Sequence, residues 1–134
     1  MMMKFRALYF SLILLMFLSC SKNNGTLEFC EGTDADGKGV NCGSVFSEGD
    51  LSIILKSKIP FESEQLTVKL YDDRNSSPFP VETITVPVKQ GETVKAFDYA
   101  LYNSGVYKLV VEGKDGKTIA EGIITVASQP VPAE

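Results

Sequence analysis

The residue types that do chemistry in proteins are unevenly represented in this chain of 134 residues, which has three cysteines, seventeen acidic residues and no histidine. Histidine is the commonest general base and the commonest neutral metal ligand, so its absence excludes most acid–base catalytic sets and most zinc sites. Cys30 and Cys42 are separated by eleven residues and do not form the Cys-x-x-Cys motif of redox-active dithiols. The sequence also has no glycine-rich phosphate-binding loop. These absences predict a protein that is not an enzyme.

Acidic residues are the remaining candidates for catalysis. Glu62 and Glu64 form one closely spaced pair, and Asp72 and Asp73 form another. Glycoside hydrolysis needs two carboxylates at a fixed separation within a cleft. Both pairs stand in or beside predicted turns of a small chain, so we expect them to be solvated surface acids.

A second acidic candidate lies between Cys30 and Cys42, where Asp34 and Asp36 stand among glycines as they would in a calcium-binding loop. An EF-hand loop needs oxygen ligands at fixed positions and a late bidentate glutamate. Counting from Asp34, Lys38 occupies the third ligand position and Val45 the twelfth position of the loop, and neither supplies a carboxylate. We therefore expect a solvated acidic loop, with a calcium site as the alternative.

The first nineteen residues have the organisation of an export signal. Lys4 and Arg6 precede an apolar run over residues 7–18 that only Ser11 interrupts. This run is shorter than the roughly 20 apolar residues that span a bilayer, and it has the length of a signal-peptide core. The pattern predicts a signal helix over residues 1–19 that is removed on maturation.

The end of this signal, Phe17-Leu18-Ser19-Cys20, resembles the lipobox of bacterial lipoproteins. The resemblance implies that the signal is cut before Cys20, that the Cys20 thiol is diacylated, and that palmitate-type chains hold the protein in a membrane. Ser21, and not aspartate, follows the lipidated cysteine, which favours the outer membrane in enteric bacteria. The alternatives are an ordinary secretory signal and a buried N-terminal helix.

Lipidation of Cys20 and export to an oxidising compartment imply that Cys30 and Cys42 form a disulfide. Cleavage would also remove Lys4 and Arg6, leaving eleven basic residues against seventeen acidic ones, a net charge of −6. Such a balance argues against nucleic-acid binding, which needs clustered lysine and arginine.

The mature chain favours β-structure, because β-branched residues dominate it and no sustained helical apolar period follows residue 20. We expect a lipidated cysteine and flexible tether over 20–26, a β-sandwich over 27–127 and a disordered tail over 128–134. The apolar segment Ile59-Pro60-Phe61 either closes one end of the sandwich or forms an exposed contact patch. The seven predicted strands span residues 27–30, 51–57, 65–72, 81–88, 93–101, 106–112 and 117–126.

The segment Asn103-Ser104-Gly105-Val106-Tyr107-Lys108-Leu109 resembles the start of the sixth strand of immunoglobulin-like domains. The resemblance implies a seven-strand antiparallel sandwich of the immunoglobulin-like or fibronectin-III-like class. It also implies that the Tyr107 hydroxyl bonds back to the chain as a tyrosine corner. Leu109 stands where antibody domains have a cysteine, and the chain has no tryptophan.

These features together predict a lipid-anchored protein of the bacterial cell envelope. We expect a non-catalytic binding or structural module without a cofactor, whose partners are the membrane, through the lipid, and a protein or a polysaccharide. The alternative is a periplasmic accessory subunit or a hydrolase inhibitor.

Overall fold

The computed structural model describes residues 25–74 and 77–128. Within these two ranges no helix is long and apolar enough to cross a membrane. The predicted signal peptide, Cys20 and residues 129–134 of the predicted tail lie outside the described residues. The nine strands are β1 (Gly25–Thr33), β2 (Gly39–Gly43), β3 (Val45–Ser47), β4 (Gly49–Ser57), β5 (Gln65–Asp72), β6 (Glu82–Pro87), β7 (Val94–Leu101), β8 (Gly105–Glu112) and β9 (Thr118–Ala127).

The strands form two sheets that enclose one core. The four-stranded sheet has the order β2-β1-β4-β7, and the five-stranded sheet has the order β3-β9-β8-β5-β6. All pairs are antiparallel except β3 with β9, which is parallel. The prediction of an all-β protein with two sheets is confirmed, whereas the count of seven strands is wrong, because the described residues contain nine.

The two additional strands, β2 and β3, carry little of the pattern from which strands are predicted. Alternation of apolar and polar residues identifies a half-buried strand, but β2 has glycine at both ends, and its residues are exposed apart from half-buried Gly39. β3 has three residues, of which only Phe46 is buried. Backbone pairing with neighbouring strands holds both segments, and pairing of this kind is not visible in side-chain periodicity.

The core is built by alternation along the longer strands. In β5, Leu66, Val68 and Leu70 are buried between the sheets, while Lys69 on the other face pairs with Glu112 of β8 at 3.0 Å. The hydrogen bond to the Glu112 carboxylate raises the pKa of Lys69. From the four-stranded sheet, β4 supplies further fully or nearly fully buried side chains, which are Leu51, Ile53 and Leu55.

Gly122 of β9 faces the Phe29 ring of the opposite sheet. A Cβ at this position would lie 2.9 Å from Cε2 of Phe29 on β1, so only glycine leaves room for that ring. The sequence suggests a bulge at Gly122, but Gly122 pairs in regular register with Leu109. The register shift instead falls between Val111 and Glu112. The glycine therefore serves packing between the sheets.

The strand directions define two ends of the sandwich. The basal end consists of the start of β1, the β4–β5 loop (58–64), the β6–β7 loop (88–93) and the β8–β9 turn (113–117). The apical end carries the β1–β2 turn (34–38), the described part of the β5–β6 loop and the short β7–β8 connection. These two ends hold most of the candidate site residues.

Candidate functional site

Cys30 and Cys42 face each other across the β1–β2 pair and are joined by a disulfide, as predicted. Cys30 is fully buried, whereas Cys42 lies exposed on β2, the outer strand of its sheet. A disulfide sulfur is neither a thiolate nucleophile nor a thiolate ligand. The pair is therefore a structural cross-link within the β1–β2 hairpin.

Glu28 lies against this disulfide, with its Oε1 3.5 Å from Cys30 Sγ and 3.3 Å from Cys42 Sγ. The three side chains bring their donor atoms within 4.8 Å of one another, but the sulfurs have no proton to donate and no thiolate charge for a metal. A Cβ on Gly39 would collide with both sulfurs and with Glu28 Oε1. Only glycine at position 39 therefore leaves room for the disulfide and for the Glu28 carboxylate beside it.

The acidic residues of the calcium alternative lie in the β1–β2 turn. Asp34 Oδ1 accepts hydrogen bonds from the backbone N–H groups of Asp36 and Lys38, both at 2.9 Å. The Asp34 N–H donates to the Lys38 carbonyl at 2.8 Å, and Gly37 adopts a φ of 81°. One carboxylate oxygen of Asp34 thus stabilises the hairpin turn in the way that aspartate commonly does.

The two carboxylate pairs considered for catalysis lie at opposite ends of β5. Glu62 and Glu64 belong to the β4–β5 loop at the basal end, and Asp72 ends β5 at the apical end. Asp72 Oδ1 accepts a hydrogen bond from the Arg74 backbone N–H at 3.0 Å. This bond and the Arg74 side chain lower the pKa of Asp72. The fold therefore brings the two pairs into no common cleft.

Tyr107 is buried at the start of β8, and its hydroxyl donates a hydrogen bond to the Asn103 carbonyl at 2.9 Å. Gly105 lies between the two residues with a φ of 158°, and a Cβ added to it would lie 3.0 Å from Arg74 Nη2 and 3.3 Å from Cε2 of the Tyr107 ring. The side chain thus fixes the connection from β7 to β8.

Tyr99 links the two sheets across the edge formed by β7 and β6. Its hydroxyl donates to Glu82 Oε1 at 2.8 Å. Burial, followed by the bond to the Glu82 carboxylate, raises the pKa of Tyr99. Tyr71 is half-buried, with Lys108 Nζ 5.7 Å from its ring centroid, which is the geometry of a cation–π contact. Both tyrosines therefore have partners within the protein.

The basal end contains a groove of about 580 Å³ between the β4–β5 loop and the β8–β9 turn. Phe61 and Leu66 are buried at its apolar floor, whereas Ile59 on its rim is 46% exposed. The apolar loop segment thus divides between the two roles considered from sequence: Phe61 closes the sandwich, and Ile59 is part of an exposed patch. The groove itself was not predicted, because its walls come from segments far apart in sequence.

Charged side chains surround this groove. Lys114 and Lys117 lie in the exposed β8–β9 turn, Glu62 lies opposite in the β4–β5 loop, and Lys58 is exposed beside Ile59. Asp115 Oδ2 is 3.8 Å from Lys117 Nζ, but both side chains are exposed, so this pair is weak. An apolar floor with charged rim residues suits an amphipathic ligand or surface.

The fold and the Cys30–Cys42 disulfide define a class of protein, a disulfide-bonded all-β sandwich of two sheets. No protein-family model matches the chain, and no curated protein matches it. Among solved structures, the soluble domain of PmoD from Methylocystis sp. (Rockwell) aligns at 14% identity over 77% of this chain and 90% of that chain, with a TM-score of 0.49. Identity this low does not carry a function from one protein to the other.

Proposed function

We propose that the protein is an exported lipoprotein of the bacterial cell envelope whose sandwich domain is a non-catalytic binding or structural module. The observation that carries this proposal is the export signal that ends in Ser19-Cys20, only a few residues before β1 begins at Gly25. The lipid on Cys20 anchors the chain, and residues 21–24 connect it to the folded body. The outer membrane is the favoured location.

The disulfide supports export, because such bonds form and persist in oxidising compartments and are rare in the cytosol. Burial of Cys30 and the direct Cys30–Cys42 register make the pair an integral part of the β1–β2 hairpin. The third cysteine, Cys20, is then the residue left for acylation.

The strand order supports the finer assignment to the immunoglobulin-like class. One sheet of such domains contains strands A, B and E, and the other contains C, F and G. Here β1, β4 and β7 are neighbours in one sheet, and β5, β8 and β9 are neighbours in the other. The bond from Tyr107 to Asn103 has the geometry of a tyrosine corner. Domains of this class serve many functions, so the class supports a module and does not define its ligand.

A non-catalytic role is supported by how the candidate groups are used. The sulfurs are joined, Asp34 holds a turn, and the two carboxylate pairs lie at opposite ends of β5. The groove at the basal end is a surface whose shape suits contact with a partner.

Cys20→Ala tests the anchor. We expect the wild-type protein in the membrane fraction after cell breakage and the variant in the soluble fraction. Ser21→Ala is the matched control, because it alters the neighbouring residue and leaves the acylated thiol, and it should remain with the membrane. Retention of Cys20→Ala in the membrane fraction would contradict the proposal.

A further inference from the structure

We infer that the basal end of the sandwich is a membrane-docking surface that contacts the anionic headgroup layer of the bilayer carrying the anchor. The inference rests on the proposed lipid anchor and adds the orientation of the domain and the residues that touch lipid. Two features of the basal end support it, which are where the chain enters the domain and how charge is distributed, and exposed Ile59 supplies an apolar side chain at that end.

The chain enters the domain beside the groove. Gly25 begins β1, and a Cβ added to it would lie 2.7 Å from the Lys56 carbonyl oxygen and 3.2 Å from the Ile119 carbonyl oxygen. Ser57 and Ile119 line the groove. The first described residue of the chain therefore lies beside Ser57 and Ile119, two residues that line the groove.

The tether is too short to let the opposite end face the membrane. Five residue steps separate Cys20 from Gly25, which span at most about 17 Å when fully extended. The nine-residue strand β4 alone rises roughly 30 Å along the body. A tether of this length cannot run back along the sandwich, so the apical end cannot face the bilayer.

The basal end presents an apolar side chain where it would meet lipid. Ile59 is 46% exposed, and the adjacent Pro60 is also exposed. The Ser57 side chain fixes this loop, because its Oγ donates to the Ile59 carbonyl at 2.6 Å and accepts from the Ile59 N–H at 3.2 Å. Ile59 is thus held at the tip of an ordered turn, with the groove beside it.

The charge distribution favours the same orientation toward an anionic surface. At the basal end, four lysines balance four acids in the loops: Lys58, Lys89, Lys114 and Lys117 against Glu62, Glu64, Glu92 and Asp115. The corresponding loops at the apical end carry an excess of two acids: Asp34, Asp36, Glu48 and Asp73 against Lys38 and Arg74. Anionic lipids attract basic side chains and repel acidic ones over roughly a Debye length. The apical end is therefore directed away from the membrane.

The chain has no tryptophan, so one introduced tryptophan is a unique fluorescent reporter. Ile59→Trp places it on the proposed surface, and Phe79→Trp is the matched control, because Phe79 is an exposed residue of the apical β5–β6 loop. Each mature, acylated variant is reconstituted into vesicles of phosphatidylethanolamine and brominated phosphatidylglycerol. Flotation of the vesicles is measured first, because it reports the anchor separately from the orientation.

We expect a several-fold larger loss of fluorescence for Ile59→Trp than for Phe79→Trp in these vesicles. Replacing Lys58, Lys114 and Lys117 by glutamine in the Ile59→Trp background should reduce the quenching. Replacing the brominated phosphatidylglycerol by neutral phosphatidylcholine with the same bromine label should also reduce the quenching. Equal quenching of the two reporters, or none at either in protein that floats with the vesicles, would overturn the docking surface and leave the anchor intact. An Ile59→Trp emission that brominated lipid does not quench but that shifts when another protein is added would also overturn it and assign the groove to a protein partner. Failure to float would reject the anchor itself.

Discussion

At the scale of single residues, several polar side chains in the described part of the chain make contacts that stabilise the fold. Asp34 caps a turn, Glu28 covers the disulfide, and the Tyr107 hydroxyl bonds to Asn103. The tyrosine could be assigned from sequence, because a polar turn and a glycine precede it in a recognisable motif. The requirement for glycine at position 39 could not be predicted from sequence, because it arises from three atoms that only the folded hairpin brings together.

Tyr107→Phe tests the structural role of that hydroxyl. The substitution removes one buried donor and retains the ring, so we expect a loss of about 1 kcal/mol in the free energy of unfolding. Tyr102→Phe is the control, because Tyr102 is 65% exposed and its hydroxyl is 3.4 Å from Asp50 Oδ1, so it should stay within about 0.5 kcal/mol of wild type. Urea titrations of both in the unlipidated Cys20→Ala background provide the comparison. Equal stability of the two variants would show that the Tyr107 hydroxyl contributes nothing to the free energy of unfolding.

At the scale of elements, the sequence predicted strands where apolar residues alternate and missed strands held only by pairing. The strand predicted over 65–72 coincides with β5, where buried and half-buried residues alternate cleanly. β2 was read as part of an acidic loop, because its glycines and exposed residues give no period. The sequence cannot distinguish a bulge at Gly122 from a close contact there, because a lone glycine in a strand has the same sequence signal whether it bends the strand or admits a ring such as Phe29.

The β1–β2 hairpin yields a prediction about the disulfide. Replacing both Cys30 and Cys42 by alanine removes a cross-link between residues separated by 12 positions. The chain-entropy account of disulfides predicts a loss of about 3 kcal/mol in the free energy of unfolding. Urea titration of the double variant beside wild type, each with and without a thiol reductant, measures this loss.

Reduction should destabilise the wild type and leave the double variant unchanged, which makes the variant its own control for other effects of the reductant. Labelling of exported wild-type protein with a thiol reagent under denaturing conditions provides a second check. Free thiols at both Cys30 and Cys42 in that protein would contradict the pairing.

At the scale of the whole molecule, the sequence predicts export and an all-β body, but it does not show which surfaces come together. The basal groove joins the β4–β5 loop to the β8–β9 turn, which are separated by four strands in sequence. The separation of charge between the two ends likewise follows from strand direction and not from composition. The proposed lipid anchor on Cys20, taken with the start of β1 at Gly25, is the basis for assigning the groove to the membrane side of the molecule.

The central claim is the lipid on Cys20, and the most direct measurement is the mass of the N-terminal peptide of the protein extracted from membranes. We predict a peptide that begins at Cys20 and carries the added mass of a diacylglycerol, with or without a third acyl chain on the amine. A peptide that begins elsewhere, or an unmodified Cys20 in membrane-extracted protein, would contradict the claim.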